Sequence, residues 1–185
     1  LITNYSNAVA NINFSLTGGN GTTSCCLAGD AGGDNIVDYC NSDPVFIMDD
    51  QLLGTPNSGG VWYDDLWSSI GVNTYDPSLL LSGVFSYIVP GVPVPGSNAT
   101  CPDDTSFLTI NINQNPIINF PSINDVCSDG SPINLNIASP TGGIYSGIGV
   151  SGGVFTPNST ILGSNVITYD FTDVNGCNDS KNQTI

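Results

Sequence analysis

The sequence predicts an all-β protein: tandem β-sandwich domains with Greek-key connections. Three observations lead there: a strand-and-turn composition, an internal repeat, and short alternating runs separated by turn signals. Helix formers are scarce. The 185 residues contain no Glu and no Arg, with one Lys and one Met, whereas Asn and Gly each occur 22 times. Asn and Gly serve turns, and the abundant Ile, Val and Thr serve strands. The repeat runs from Cys40 to Gln114 and again from Cys127 to Ile185, its opening cysteines 87 positions apart. That period is too long for a solenoid and suits small β-domains in tandem.

Residues 1–27 match the repeat poorly. Within them, residues 8–16 alternate apolar and polar, as a half-buried strand does, and Gly18, Gly19 and Gly21 end the run. This segment reads as an N-terminal strand or the tail of a preceding domain. The first domain is expected over 28–114, with strands at Ile36-Val37, 45–48, 60–63, 83–89 and 106–113. In the last of these, Leu108, Ile110 and Ile112 share one face and Phe107, Thr109 and Asn111 the other. The second domain is expected over 115–185, with strands near 117–120, 133–137, 143–145, 153–155 and 165–171, stopping part-way through a final strand. Short strands at such spacing indicate a sandwich.

The two repeats align at named positions. Thr55-Pro56-Asn57-Ser58-Gly59-Gly60-Val61-Trp62 matches Ser139-Pro140-Thr141-Gly142-Gly143-Ile144-Tyr145. Tyr75-Asp76-Pro77 matches Phe155-Thr156-Pro157. A Tyr-bearing strand follows in each, and each closes on a cysteine, Cys101 and Cys177, followed by Asp and Ser.

The six cysteines form no Cys-x-x-Cys pair, and there is no His, which argues against zinc. They argue for disulfides and an oxidising compartment. Cys40 with Cys101 and Cys127 with Cys177 occupy equivalent places, so the expected bridges close each repeat on itself. Each would add roughly 3–4.5 kcal/mol in the chain-entropy view. Cys25 and Cys26 are adjacent, a spacing that seldom bridges without strain, so one or both should pair elsewhere.

Composition also limits chemistry. Without His there is no imidazole base and no Ser-His or Cys-His couple. All 16 acids are Asp, and the formal net charge of -15 opposes nucleic acid and anionic membranes. No apolar run approaches membrane-spanning length, so no direct membrane insertion is expected. The chain does not begin with Met and shows no signal peptide; it reads as a fragment of a longer protein whose secretion and attachment signals lie elsewhere. An enzyme is not expected, because the carboxylates sit on repeats too small for a substrate cleft.

No cofactor is expected. The pairs Asp49-Asp50, Asp64-Asp65 and Asp103-Asp104 and the trio Asp170, Asp173 and Asp179 are the only oxygen-ligand sets that would suit Ca²⁺; solvated turn residues are the favoured reading. Trp62 aligns with Tyr145 and reads as core. Trp67 lies in an insert without a counterpart, and with Asp64 and Asp65 it is the candidate ligand-binding group, a platform on which a sugar ring could stack. Seven Asn-x-Ser/Thr sequons occur, at Asn4, Asn13, Asn20, Asn98, Asn158, Asn178 and Asn182; in so Asn-, Ser- and Thr-rich a chain, chance accounts for many.

Asp30-Ala31-Gly32-Gly33-Asp34-Asn35, Leu53-Gly54-Thr55-Pro56, Gly83-Val84-Phe85-Ser86-Tyr87 and Cys101-Pro102-Asp103-Asp104 resemble the Ig-like repeats of giant cell-surface adhesins of gliding and marine Bacteroidota. SprB-like gliding-motility adhesins, exported by the type IX system, belong to this group. Val126-Cys127-Ser128-Asp129-Gly130 and Tyr169-Asp170-Phe171-Thr172-Asp173 resemble a sister repeat type. The resemblance covers roughly residues 28–185. It implies Ig-like sandwiches in a long, secreted, outer-membrane-attached surface fibre with structural and adhesive duties. Its partners would be neighbouring repeats and surface polysaccharide or a solid substrate. A carbohydrate-binding module and a self-assembling filament subunit are the alternatives.

Overall fold

In a computed structural model, residues 26–93, 101–158 and 163–185 are described. The strand expected within residues 8–16, together with Cys25, Asn4, Asn13, Asn20 and Asn98, lies outside them. Fourteen strands occur among the described residues, and the only helical element there is a single 3₁₀ turn at Asp49–Gln51. The all-β expectation holds.

The chain divides into two compact units. The first comprises Leu1–Tyr39 and Asp43–Ile112, the second Cys40–Ser42 and Asn113–Ile185. The second unit is therefore discontinuous: the tripeptide 40–42 belongs with the residues from 113 onward.

Unit 1 holds β1 (Cys26–Leu27), β2 (Asn35–Cys40, whose last residue counts with unit 2), β3 (Phe46–Ile47), β4 (Val61–Tyr63), β5 (Thr74–Tyr75), β6 (Gly83–Val89), β7 (Val92–Pro93) and β8 (Asp104–Asn113). One sheet has the order β2-β8-β6-β4; β3 pairs with β5, and β1 with β7. The Asp34 carboxylate accepts from Phe107 N, and that of Asp38 from the Asn111 amide. These contacts advance together along both chains, so β2 runs parallel to β8. The core draws on both the large sheet and the β3–β5 pair. Tyr87 and Val89 of β6, Leu108 and Ile110 of β8, Trp62 and Tyr75 pack with Met48 and Leu52. The apolar face expected on β8 points inward: Leu108 and Ile110 are fully buried, whereas Phe107 on the other face is exposed.

Unit 2 holds β9 (Ile133–Asn134), β10 (Ile144–Gly147), β11 (Val150–Ser151), β12 (Val154–Phe155), β13 (Val166–Thr172) and β14 (Asn178–Thr184). Its sheets have the orders β10-β13-β14 and β11-β12-β9. Phe120, Leu135, Phe155, Ile167, Tyr169 and Ile185 form its core.

The units are two builds of one plan. Phe46 pairs with Tyr75 and Met48 N donates to Asn73 O; in unit 2, Ile133 pairs with Phe155 and Leu135 N donates to Gly153 O. Gly33 and Leu53 exchange two backbone bonds, and so do Asn119 and Ser139. This last bridge is all that forms where a strand over 117–120 was expected. A residue lacking a flanking ladder partner makes a bridge, not a strand.

The disulfides correct the expected pairing. Cys26 bonds Cys101 and Cys40 bonds Cys177, while Cys127 is a free, exposed thiol. Neither Cys40–Cys101 nor Cys127–Cys177 forms. The physical reason lies in chain path: Cys40 ends β2 within the second unit, beside Asn113, whose carbonyl accepts from Asn41 N at 2.9 Å. Cys26 enters through the β1–β7 pair, where Cys101 Sγ lies 3.3 Å from Val92 O. Loops of 75 and 137 residues close, and each closure contributes about 4–5 kcal/mol in the chain-entropy view. The bonds accord with an oxidising, extracellular or secreted setting. Among the described residues no helix is long and apolar enough to cross a membrane.

Candidate functional site

A tyrosine clasp is built in each unit. In unit 1, Tyr87 of β6 lies opposite Trp62 of β4. Its hydroxyl accepts from Gly60 N at 3.0 Å and donates to Asn57 O at 2.9 Å. In unit 2, Tyr169 of β13 lies opposite Tyr145 of β10; its hydroxyl accepts from Gly143 N at 2.7 Å and donates to Pro140 O at 2.6 Å. The ring pairs are alike, with centroids 5.0 Å apart in unit 1 and 4.5 Å in unit 2. Gly60 and Gly143 are required here. A Cβ on either would stand 2.4 Å from the tyrosine ring, far inside contact distance.

Above the clasp each unit has a cleft, and the two differ. The cleft of unit 1 measures about 650 Å³ and is lined by Asp49, residues 58–62 (a turn and the start of β4), Ser69, residues 71–74 and Tyr87. The Asp49 carboxylate is held at its wall: Oδ1 accepts from Trp62 Nε1 at 2.6 Å and Oδ2 from Asn73 Nδ2 at 3.4 Å. The cleft of unit 2 is about 320 Å³. Asn136 stands there at the place of Asp49, and Tyr145 replaces the indole, its hydroxyl accepting from Ala138 N at 2.9 Å. The larger cleft thus offers a carboxylate, an amide and an aromatic wall, the group types that bind polyhydroxyl ligands.

The strand that lines the cleft continues into a hairpin tip. Asp64 N donates to Ser68 O, Trp67 N donates to Asp64 O, and Tyr63 bridges to Ser69. This is a tight turn followed by a residue in the left-handed region, a place that favours Gly or Asn. Trp67 occupies it at φ 60°, and among the described residues no other non-glycine has positive φ. Its side chain is 63% exposed, and Leu66 is 80% exposed beside it. Tyr63 supports the indole from one side at a centroid distance of 6.4 Å. A bulky side chain in strained backbone with no burial to compensate points to function.

The candidate residues therefore meet in one turn but do different work. Trp67 is displayed. Asp64 is structural: its Oδ1 accepts from Leu66 N at 3.0 Å and Ser68 N at 2.8 Å, fixing the turn. Asp65 is an exposed member of the same turn. None of the three lines the cleft. The sequence singles out Asp49 only as half of an Asp pair that would suit Ca²⁺, and Asn73 not at all; the Asp49/Asn136 difference between repeats is the signal that could have found this wall of the cleft. Trp62 is core, as its alignment with Tyr145 indicated.

Other acids act as backbone acceptors. Asp104 accepts from Ala31 N, Asp103 from Gly91 N, and Asp173 from both Asn175 N and Cys177 N. Among the described residues no three metal-ligating side chains cluster.

No protein-family model matches the chain, and neither a curated protein nor a solved structure matches it.

Proposed function

We propose that this chain is a structural and adhesive repeat segment of a long, secreted cell-surface fibre, with Ig-like units as its building blocks. One observation carries the reading: each of two builds of one plan is closed by a disulfide that reaches back before the start of its own repeat, Cys26–Cys101 in the first unit and Cys40–Cys177 in the second. The Cys40–Cys177 bond alone limits extension even if both units unfold. The shortest covalent path runs along the chain to Cys40 and then crosses directly to Cys177. About 47 residue steps remain between the ends, against 184 without the bonds. At roughly 3.5 Å per residue, the extended length is about 165 Å oxidised and about 640 Å reduced. The charge of -15 supports the same reading, because like charge keeps neighbouring fibres apart and soluble.

Pulling single chains from their termini tests it. The tensile role predicts a fully extended length of about 165 Å in oxidising buffer and about 640 Å after reduction. Full extension without reductant overturns the role.

The displayed Trp67 favours a second reading, carbohydrate binding at the hairpin tip and its neighbouring cleft. An exposed indole offers a sugar ring a large, rigid contact area at small entropic cost. Binding of the chain to a polysaccharide panel, with Trp67→Ala as control, decides it. Saturable binding lost in the variant supports the reading; binding unchanged in the variant removes it.

A further inference from the structure

The cysteines follow a rule that leaves one of them unserved. Each repeat has an opening cysteine (Cys40, Cys127) and a closing one (Cys101, Cys177). Neither opening cysteine closes its own repeat. Cys101 bonds Cys26, which precedes the first repeat, and Cys177 bonds Cys40, which opens the first repeat and not the second. Cys127 is free and exposed.

The backbone shows that Cys127 is the counterpart of Cys40. Gly33–Leu53 and Asn119–Ser139 are the same two-way bridge. Four residues beyond each, Val37 and Ile123 pack against their cores. Cys40 stands three residues beyond Val37, and Cys127 four beyond Ile123. The first of these equivalent cysteines is bonded to the closing cysteine of another repeat.

We propose that Cys127 is the covalent attachment point for a further unit of this type, and that its partner is that unit's closing cysteine, the counterpart of Cys177. The inference rests on the repeat-fibre reading and extends it: the offset register would link successive units along the fibre. The chemistry is thiol–disulfide exchange. A disulfide oxidant such as oxidised glutathione first caps the closing cysteine as a mixed disulfide, releasing one glutathione thiol. The Cys127 thiolate then attacks the cysteine sulfur of that mixed disulfide. The new S–S bond forms as the old one breaks, and the second glutathione leaves as thiolate and takes up the proton that Cys127 gave up. Two protein thiols are oxidised and one glutathione disulfide is reduced to two thiols.

Two forms of the full chain test the proposal, both carrying Cys25→Ser. The first keeps Cys127 as its free thiol beside the native bonds. The second carries Cys40→Ser and Cys127→Ser, leaving Cys177 as its free thiol. They are mixed in glutathione redox buffer, and products are separated without reductant and mapped by mass spectrometry. The expected product is a heterodimer linked Cys127–Cys177, exceeding each homodimer by about tenfold, because a fitted surface raises the effective concentration of the right partner. A statistical mixture, or a preference for Cys127–Cys127 dimers, overturns the proposal. If circular dichroism shows the second form unfolded, a chain with residues 111–185 appended after Ile185 decides, since it keeps every native cysteine. Cys127 bonded to the appended copy of Cys177 supports the proposal; Cys127 left free, or bonded to Cys25, overturns it. The pulling experiment on the unaltered chain reads only the native bonds, so failure of the fibre reading is told apart from failure at Cys127.

Discussion

The two tyrosine clasps share their geometry and differ in what surrounds them. Tyr87 and Tyr169 each tie a glycine N–H to a carbonyl three residues earlier, across the ring of a facing aromatic. In unit 2 the facing residue is Tyr145, and its hydroxyl serves the backbone at Ile137 and Ala138. In unit 1 the facing residue is Trp62, its indole bonds Asp49, and the strand beyond it extends into the Trp67 tip. The lesson is a division of labour within one plan. The clasp holds the sheet edge in both units, which leaves the residues around it free to vary, and in unit 1 the cleft is about twice the volume, lined by Asp49, and an indole is displayed beyond it.

The comparison breaks most severely at the glycines. Gly143→Ala should cost about 3 kcal/mol and Gly60→Ala about 2 kcal/mol, because overpacking displaces the tyrosine. Gly143 should cost more because its Cβ would also meet the Asp170 carbonyl at 2.4 Å, whereas at Gly60 the nearest atoms all belong to the Tyr87 side chain. Denaturant unfolding of each variant measures both. Equal and negligible costs would mean that the close approach is not tight.

Removing only the hydroxyls sharpens it. Tyr87→Phe and Tyr169→Phe should each lose about 1–2 kcal/mol, since a glycine N–H is left without its acceptor. Similar losses in the two units, read from chemical denaturation, are expected if the clasps are equivalent.

At Trp67 the units should part. Trp67→Gly should stabilise the chain by about 1 kcal/mol, because the left-handed backbone suits glycine. The same variant should lose any polysaccharide binding. A destabilised Trp67→Gly chain would show that the indole packs in place and is not displayed for a partner.

The smallest effect concerns pH. Burial raises the Tyr75 hydroxyl above its ordinary value of 10.0; burial, and then the nearby Asp43 charge, raise Tyr39. Both belong to unit 1. The folded state holds these protons more tightly than the unfolded state does. Their contribution is therefore whole below about pH 10 and is lost as pH rises through the folded values. Thermal unfolding between pH 9 and 12 should show stability falling above about pH 10, less steeply in Tyr75→Phe.

Much of this plan was legible in the sequence. The long strands at 83–89, 104–113 and 166–172 carry clear alternation, and the Pro–Gly-Gly–aromatic alignment marked both clasps. The strand at 117–120 did not form, because nothing beyond Asn119 extends its ladder. Two-residue strands such as β5, β7 and β11 are too short to show a period. The disulfides were misread for a different reason. Alignment of repeats tells which cysteines are equivalent, not which are near; a bond that reaches back before its own repeat leaves the same alignment as a bond within a repeat. Trp67 stood out as an unmatched residue in an insert, but its left-handed backbone follows from the Asp64 turn. The supporting role of Asp64 likewise belongs to hydrogen-bond geometry, which residue type alone does not specify.

That offset bonding is the central claim, and peptide mapping of the unreduced chain tests it most directly. The account predicts linked peptides for Cys26–Cys101 and Cys40–Cys177, with Cys127 alkylated as a free thiol. Linked peptides for Cys40–Cys101 and Cys127–Cys177 would contradict it, restoring two repeats that each close on themselves.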